Sequence, residues 1–436
     1  MKSLAPLLSI IALVFGLVGC PGGGGGGGGG ASSSTAFLYV SNSGGGDISA
    51  YSVDTTTGVL TPLAGSPFSA GTSPQGMTVS ASGEVAFVSN AGSDDVSDYL
   101  LNTGTGFLTP ASVPPAFPAG ATPQTLTLEP FEKFAFVANT GANSVSVYSV
   151  NTTTGILTAV PGVSFSVAPG GAQPQRATVV TTFGLNPVRQ FVYLANAGSG
   201  NVSGFFLNPT TGFLTPSSGS PFAVGATPRS VVADSAGKFV YVSNEGAATI
   251  SSFGVSQTDG ALSFPVPNAP FAAGTTPQPV TLHRSIPFAY VANAGSNNIS
   301  AYAVNASTGE FTIITNPGSP TPNFFNAGTT PQQVTIDPNG KFALVANAGS
   351  DNVSVYEIDQ INGELMQVVG SPFPAGDSPQ RVTVDPTGRF VFVPNRGSNN
   401  VSAYQFNSTT GFLTPVAGSP FSAGTGPRFA TAVGTF

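Results

Sequence analysis

The sequence predicts an all-β propeller of eight four-stranded blades, closed into a ring by its C-terminal strand. Three observations support this fold: a unit of about fifty residues repeats along the chain, every unit contains only strand-like segments, and the chain begins and ends at different points of the unit. Four short strands per unit of this length are typical of propeller blades rather than of a solenoid. An asparagine that ends one strand marks each unit, at Asn42, Asn90, Asn139, Asn196, Asn244, Asn293, Asn347 and Asn395.

Each unit has the same order of strand-forming and turn-forming residues. After the asparagine come a Gly-containing turn and a Val-Ser strand, as in 348–356, and then a turn such as Asn-Pro-Thr-Thr-Gly at 208–212. The segments Phe-Leu-Thr-Pro and Ser-Pro-Phe follow, and a Pro-Gln strand such as 379–384 completes the unit. Val, Phe, Tyr and Thr favour strands, whereas Gly, Asn and Pro favour turns. No part of the unit has helical periodicity.

The ends of the repeat predict how the ring closes. The body opens with the second strand of a unit, Phe37 to Asn42, and ends with an unpaired first strand, Pro427 to Phe436. If the last strand completes the opening blade, no sheet edge is left free in the ring. Counting this composite blade gives eight blades.

The N-terminus has the features of an exported protein. Lys2 precedes the uncharged apolar stretch Leu4 to Val18, which is too short to span a bilayer and is typical of a signal peptide. Leu17 to Cys20 resembles the bacterial lipobox, which implies cleavage before Cys20 and lipid attachment to its sulfur. The alternative is an ordinary secretory signal with an incidental cysteine. We therefore predict a signal peptide at 1–19, a lipidated Cys20 with a Gly/Ser-rich tether at 20–36, and the propeller at 37–436.

The composition excludes several classes of function. Charged residues make up 7% of the chain and the net charge is −7, with no basic run, so a nucleic-acid partner is not expected. Cys20 is the single cysteine and His283 the single histidine, and we expect no metal and no cofactor. His283 is predicted to be a surface turn residue. We expect a monomer in the bacterial cell envelope, facing the periplasm or the exterior and attached to the membrane through lipid alone.

Topology predicts which residues surround the central channel. The first strand of each blade lines the channel, and a proline opens each of these strands at one face of the ring. The residues that follow these prolines should ring the channel mouth. They are Gln75, Gln124, Gln175, Arg229, Gln278, Gln332, Gln380 and Arg428.

Arginines are concentrated at the same face. Arg176, Arg229, Arg381, Arg396 and Arg428 all fall on mouth-side loops or strand starts, although the protein is acidic overall. Together with Asn244, they form our candidate ligand-binding set for a small anion such as a carboxylate or phosphate, or a sugar-derived molecule. The alternative is that these side chains, like the repeated Gln and Asn, donate hydrogen bonds to neighbouring loops.

The Val-x-Asn unit with its Gly turn resembles the YVTN-repeat propellers and the lactonase-like propellers that include bacterial 6-phosphogluconolactonase. That family usually has seven blades, which is the alternative count. The resemblance implies lactone hydrolysis, with a Pro-Arg-His motif near a Val-x-Asn-Glu motif. Arg229 and Glu245 match those motifs, whereas Ser230 occupies the histidine position. Glu245 would act as the base, and Arg229 would stabilise an oxyanion.

Three functions remain open from the sequence. The first is a surface-tethered propeller that binds a small anionic or sugar-derived ligand or a surface protein. The second is a lactone hydrolase that uses Glu245 and Arg229. The third is a structural repeat protein of the cell envelope.

Overall fold

The computed structural model describes residues 36–112, 116–167, 171–182, 188–263, 269–316 and 323–436. Within these ranges the chain forms eight antiparallel sheets, each of which is one blade of a ring. The predicted signal peptide, Cys20 and almost all of the tether lie outside the described residues. No helix long and apolar enough to cross a bilayer occurs in the part of the chain that is described.

The inner strands line the channel, and the second strands pair with them. Blade 1 contains the first described strand, and blades 2 to 8 follow in chain order. From blade 1 to blade 8, the inner strands are Pro427–Gly434, Pro74–Val79, Thr127–Leu128, Pro174–Thr181, Pro228–Ala233, Thr281–Leu282, Pro331–Ile336 and Thr383–Val384. In the same order, the second strands are Ala36–Asn42, Val85–Asn90, Phe134–Asn139, Gln190–Asn196, Phe239–Asn244, Phe288–Asn293, Phe342–Asn347 and Phe390–Asn395.

The third strand of each blade lies between the second strand and the outer strand. They are Asp47–Val53, Asp95–Leu101, Ser144–Val150, Asn201–Leu207, Thr249–Val255, Asn298–Val304, Asn352–Ile358 and Asn400–Phe406. The outer strand is continuous in blade 3, at Leu157–Ser166, and in each of the other blades two separate short segments pair with the same third strand. These pairs are Leu60–Pro62 with Phe68–Ser69, Leu108–Pro110 with Phe117–Pro118, Leu214–Pro216 with Phe222–Ala223, Leu262–Ser263 with Phe271–Ala272, Phe311–Ile313 with Phe325–Asn326, Leu365–Gln367 with Phe373–Pro374, and Leu413–Pro415 with Phe421–Ser422.

The hydrophobic core lies between the blades. Eight clusters of buried side chains occur, and each one is shared by two neighbouring blades. Successive residues of a strand point to opposite faces. In blade 1, Phe37 and Tyr39 therefore pack against Met77 of blade 2, while Leu38 packs against Phe390 of blade 8. Every blade thus depends on both neighbours for its buried surface.

The ring closes through blade 1, as predicted. Pro427–Gly434 pairs antiparallel with Ala36–Asn42, from Ala36 opposite Gly434 to Asn42 opposite Pro427. The composite blade is therefore made from both ends of the described body, and it brings the number of blades to eight. The eight-blade prediction is confirmed.

The asparagine of each unit fixes the turn between the second and third strands. In blade 1, the Nδ2 of Asn42 donates to Oδ1 of Asp47 at 2.6 Å and to Oγ of Ser49 at 2.9 Å. The other seven asparagines donate in the same way to side chains five and seven residues later, and all eight are fully buried. The repeated asparagine is therefore a structural residue of the blade.

Threonine hydroxyls link the inner strands around the channel. The Oγ1 of Thr335 in blade 7, for example, donates to the carbonyl oxygen of Val382 in blade 8 at 2.9 Å. Blade 5 has Val232 at this position, which cannot donate to blade 6. Seven of the eight blade junctions have such a bond, made by Thr78, Thr127, Thr178, Thr281, Thr335, Thr383 and Thr431. We call this set the threonine ring.

Candidate functional site

A β-bulge follows the proline at the mouth end of the inner strands. In blade 2, Pro74 is opposite Asn90 and the next paired residue is Met77, so two residues lie in the bulge. Blades 4 and 7 have the same two-residue bulge, whereas in blades 1 and 5 a single residue, Arg428 or Arg229, separates the proline from the next paired residue. A bulge changes the direction of nearby side chains. As a result, both residues after the proline contribute to the channel wall.

Two adjoining cavities lie along the central channel. The larger has a volume of about 680 Å³ and is lined by inner-strand residues of blades 1 and 3 to 7, including Arg176, Arg229 and Arg428. The smaller has a volume of about 140 Å³ and is lined by Arg229, Arg381, Arg428, Pro279 and Phe429 among others. Four of the five predicted arginines therefore lie on the wall of one continuous channel.

Arg229 is paired with a carboxylate. Its Nη1 lies 2.9 Å from Oε2 of Glu245, and the two side chains are 40% and 29% exposed. The inner strand of blade 5 positions Arg229, and the turn after Asn244 positions Glu245. The two residues that match the family motifs are therefore in direct contact at the mouth. Sequence reasoning proposed roles for both side chains but did not predict the ion pair.

Arg428 lies four blades away from Arg229 and has a neutral partner. Its Nη1 donates to Oε1 of Gln75 at 2.5 Å. Burial lowers the pKa of Arg428, and the positive charges of Arg396 and Arg229 lower it further. Arg396 is exposed and is not part of the cavity lining, but its charge reaches Arg428.

Arg176 and Arg381 have no hydrogen-bond or ion-pair partner among the described residues. Arg176 is accessible to water but is enclosed by protein because it lines the channel, and this enclosure lowers its pKa. Burial, together with the positive charge of Arg176, lowers the pKa of Arg381 to about 10. The two guanidinium groups therefore lie close enough to repel each other, although they come from blades 4 and 8, on opposite sides of the ring.

The glutamines at the mouth have a local structural role. In six blades, the Gln after the proline donates its Nε2 to the carbonyl oxygen of the residue before the proline. In blade 2, this bond joins Gln75 to Ser73, whose backbone has the left-handed φ of 53°. The glutamines thus stabilise the turn that leads into the inner strand.

Two further residues near the site have structural contacts. Asn244 was predicted to bind ligand, but it is fully buried and donates its amide to Thr249 and Ser251. Ser230, at the histidine position of the family motif, lies 3.1 Å from the hydroxyl of Ser243. These contacts leave the arginines and Glu245 as the groups available at the mouth.

Asp234 is a lining residue that sequence reasoning missed. It lies on the wall of the larger cavity. Its Oδ1 accepts hydrogen bonds from the backbone N–H groups of Lys238 and Phe239, as is usual for an acid in a tight turn.

His283 is a turn residue, as predicted, but the prediction that it lies on the surface is wrong. It is 8% exposed, its Nδ1 accepts the backbone N–H groups of Ser285 and Ile286, and its Nε2 contacts the carbonyl oxygen of Gly340 at 2.7 Å. The imidazole of His283 accepts the turn hydrogen bonds that an aspartate accepts in other blades, and it must point inward to do so. The described residues contain no cluster of three or more His, Cys, Asp or Glu that could hold a metal ion.

These observations define the class of protein: it is an eight-bladed β-propeller whose cationic channel mouth contains an Arg–Glu ion pair. The chain belongs to the family described as lactonase, 7-bladed beta-propeller, which matches residues 30–120, 116–382 and 374–432. The structure has one blade more than the family description states. No curated protein matches the chain.

Solved structures of similar fold share little sequence with this chain. A candidate 6-phosphogluconolactonase from Bacteroides fragilis is 19% identical, with a TM-score of 0.60 over 93% of this chain and 100% of its own. The periplasmic gluconolactonase PpgL from Pseudomonas aeruginosa is 18% identical, with a TM-score of 0.60 over 92% and 100%. Apo AztD from Citrobacter koseri is 14% identical, with a TM-score of 0.59 over 92% and 99%. At these identities the likeness shows the fold alone.

Proposed function

We propose that this protein binds a small anion in its central channel. The observation that carries this proposal is that four arginines line one channel and two of them, Arg176 and Arg381, have no partner among the described residues. Enclosed like charges repel each other, and an anion between them removes that repulsion. Guanidinium groups are also well suited to bind carboxylates and phosphates.

Calorimetric titration with small carboxylates and phosphates tests this function. Low ionic strength is used because salt screens the attraction between the arginines and a charged ligand. We expect saturable binding by the wild type. The double variant Arg176→Ala plus Arg381→Ala should lose at least about tenfold in affinity, since a charged hydrogen bond contributes about 1.5–3 kcal/mol. Arg284→Ala, an exposed arginine outside the channel lining, is the matched control and should bind like the wild type. Absence of binding by every anion tested contradicts the proposal.

Lactone hydrolysis is a second candidate function, favoured by family membership and by the 2.9 Å contact between Arg229 and Glu245. In this reaction, Glu245 takes a proton from a water molecule as the water adds to the lactone carbonyl carbon. Arg229 stabilises the negative charge that develops on the carbonyl oxygen. The ring C–O bond then breaks, and the leaving oxygen receives a proton to give a hydroxy acid.

A pH-stat titration with sugar and aliphatic lactones separates the two functions. Acid release well above the spontaneous rate, abolished by Glu245→Gln, supports hydrolysis. Anion binding without acid release supports the first proposal alone. The absence of both leaves a structural role in the cell envelope, or binding of a surface protein, as the remaining function.

We also propose that the protein acts outside the bacterial cytoplasm, attached through lipid on Cys20. The Leu17–Cys20 motif and the glycine-rich segment after it support this location, and the propeller PpgL is described as periplasmic. In a bacterial host, Cys20→Ser should abolish incorporation of labelled fatty acid and move the protein from the membrane to the soluble fraction. Unchanged labelling of that variant contradicts the lipid anchor.

A further inference from the structure

Arg176 and Arg381 form a second cationic level in the channel. Each lies two residues after the proline of its strand, whereas Arg229 and Arg428 lie one residue after it. Blades 4 and 8, which carry Arg176 and Arg381, are four apart in a ring of eight, so the two arginines approach from opposite walls. Both line the channel, and neither has a hydrogen-bond or ion-pair partner among the described residues.

The charges along the channel do not balance. Four arginines line it, and the nearby carboxylates are Asp234 in the wall and Glu245 on Arg229. Two positive charges therefore remain uncompensated, which is the charge that two carboxylates on one ligand would neutralise. Arg428 already donates to a neutral amide, and Arg229 already has an anionic partner. The two arginines free to accept new anionic groups are Arg176 and Arg381.

At the level of these two arginines the wall is otherwise uncharged. The equivalent positions of the six other blades are Gly76, Thr125, Ser230, Pro279, Gln333 and Phe429, and all except Gly76 line one or both cavities. Proline and phenylalanine offer apolar contacts, and the other side chains offer neutral hydrogen-bonding groups. The level thus has a cation at each end and a neutral surface in between.

We propose that the ligand of this channel is a dicarboxylate, with one carboxylate on Arg176, the other on Arg381, and an uncharged chain between them. This inference rests on the proposed anion-binding function and specifies its ligand class. Each guanidinium is a planar fork that matches the two oxygens of one carboxylate. Two forks on opposite walls therefore match two separate carboxylates better than a single compact anion, which would have to draw two mutually repelling groups together.

The test is calorimetric titration of the full-length protein with succinate, glutarate, adipate and pimelate. Butyrate, hexanoate and inorganic phosphate serve as comparison probes. We expect one dicarboxylate length to bind at least about tenfold more tightly than a monocarboxylate of similar length and more tightly than phosphate. Arg176→Gln and Arg381→Gln should each reduce dicarboxylate binding to the level of the monocarboxylate. The double variant Arg176→Gln plus Arg381→Gln should bind the monocarboxylate with nearly the same affinity as whichever single variant binds it more weakly.

Arg284→Gln, on an exposed turn, should leave every affinity unchanged, and thermal unfolding shows whether each variant is folded. The wild-type length series tests the proposal even if a variant fails to fold. Equal affinities for mono- and dicarboxylates, or tighter binding of phosphate than of every dicarboxylate, overturn the inference while the anion-binding function stands. Failure of all probes to bind overturns the function itself.

Discussion

Asp98 is a buried carboxylic acid in the third strand of blade 2. Blades 1, 6 and 8 have Ala50, Ala301 and Ala403 at the equivalent position, and each of these residues pairs with the equivalent aromatic position of the second strand. Oδ1 of Asp98 accepts the hydroxyl of Ser112 at 2.6 Å, while Oδ2 has no partner among the described residues. Burial raises the pKa of Asp98 above its ordinary value of 3.8, although the hydrogen bond from Ser112 partly offsets this.

This pKa shift predicts that Asp98 lowers the free energy of unfolding by an amount that depends on pH. The unfolded chain loses the proton near pH 4, whereas the folded protein retains it to higher pH, so stability falls as the pH rises above about 4. We expect Asp98→Ala to raise the free energy of unfolding at pH 7 by about 1–3 kcal/mol, the cost of an unpaired buried acceptor. The gain should be smaller at pH 4. Urea unfolding followed by circular dichroism at both pH values measures it.

The exposed Asp377 is the matched control for this variant. Asp377→Ala should change the unfolding free energy little and by the same amount at both pH values. A gain for Asp98→Ala that does not grow with pH would show that the buried carboxyl does not cause the dependence.

At the scale of the strand, the threonine ring predicts measurable coupling between blades. Thr335→Val removes the bond to the carbonyl of Val382 with little change in shape, and should lower the unfolding free energy by about 1 kcal/mol. Val232→Thr restores the hydroxyl that blade 5 lacks and should raise it by about 0.5–1 kcal/mol. Chemical unfolding of the two variants and the wild type gives both values.

Thr335→Ser keeps the hydroxyl and is the control for Thr335→Val. It should recover most of the lost stability, since only a methyl group is removed. Equal destabilisation by Val and by Ser would mean that packing, and not the hydrogen bond, accounts for the position.

The inner strands also show why the site was harder to predict than the blades. The strand-ending asparagine and its Ser partner seven residues later repeat in every blade, so both halves of that contact are visible in the sequence. Side-chain direction in the inner strands depends on the bulge after the proline, and a bulge interrupts the alternation from which direction is inferred. Arg229 and Arg428 could therefore be placed at the mouth, whereas the opposed, unpaired state of Arg176 and Arg381 could not be predicted.

For the whole molecule, the composite blade predicts that the last strand is needed for folding. Removal of 427–436 leaves Ala36–Asn42 as an open edge and removes Ala430 and Ala432 from the cluster between blades 8 and 1. Open edges favour association with other chains. We expect this truncation to lower the melting temperature and to form soluble aggregates, measured by thermal unfolding and size-exclusion chromatography.

Removal of 435–436 alone is the control, because it keeps the paired strand up to Gly434 and removes only Phe436 from the cluster between blades 8 and 1. This shorter truncation should remain monomeric. A monomeric 1–426 variant with an unchanged melting temperature would contradict a closing role for the strand. The repeat phase was enough to predict this closure, whereas the pairing of two separate outer segments with one third strand was not predicted, because both segments follow the same strand pattern.

The spacing of the arginines gives the channel an approximate twofold axis within an eightfold ring. Blades 4 and 8 both carry Pro-Gln-Arg, and blades 5 and 1 both carry Pro-Arg, so half a turn of the ring superposes one arginine set on the other. Glu245 breaks this symmetry, because Arg229 has a carboxylate partner and Arg428 has an amide. The two sides of the channel therefore differ in charge: a ligand with unequal ends has one preferred orientation, with its more negative end on Arg381 in blade 8, on the side away from Glu245.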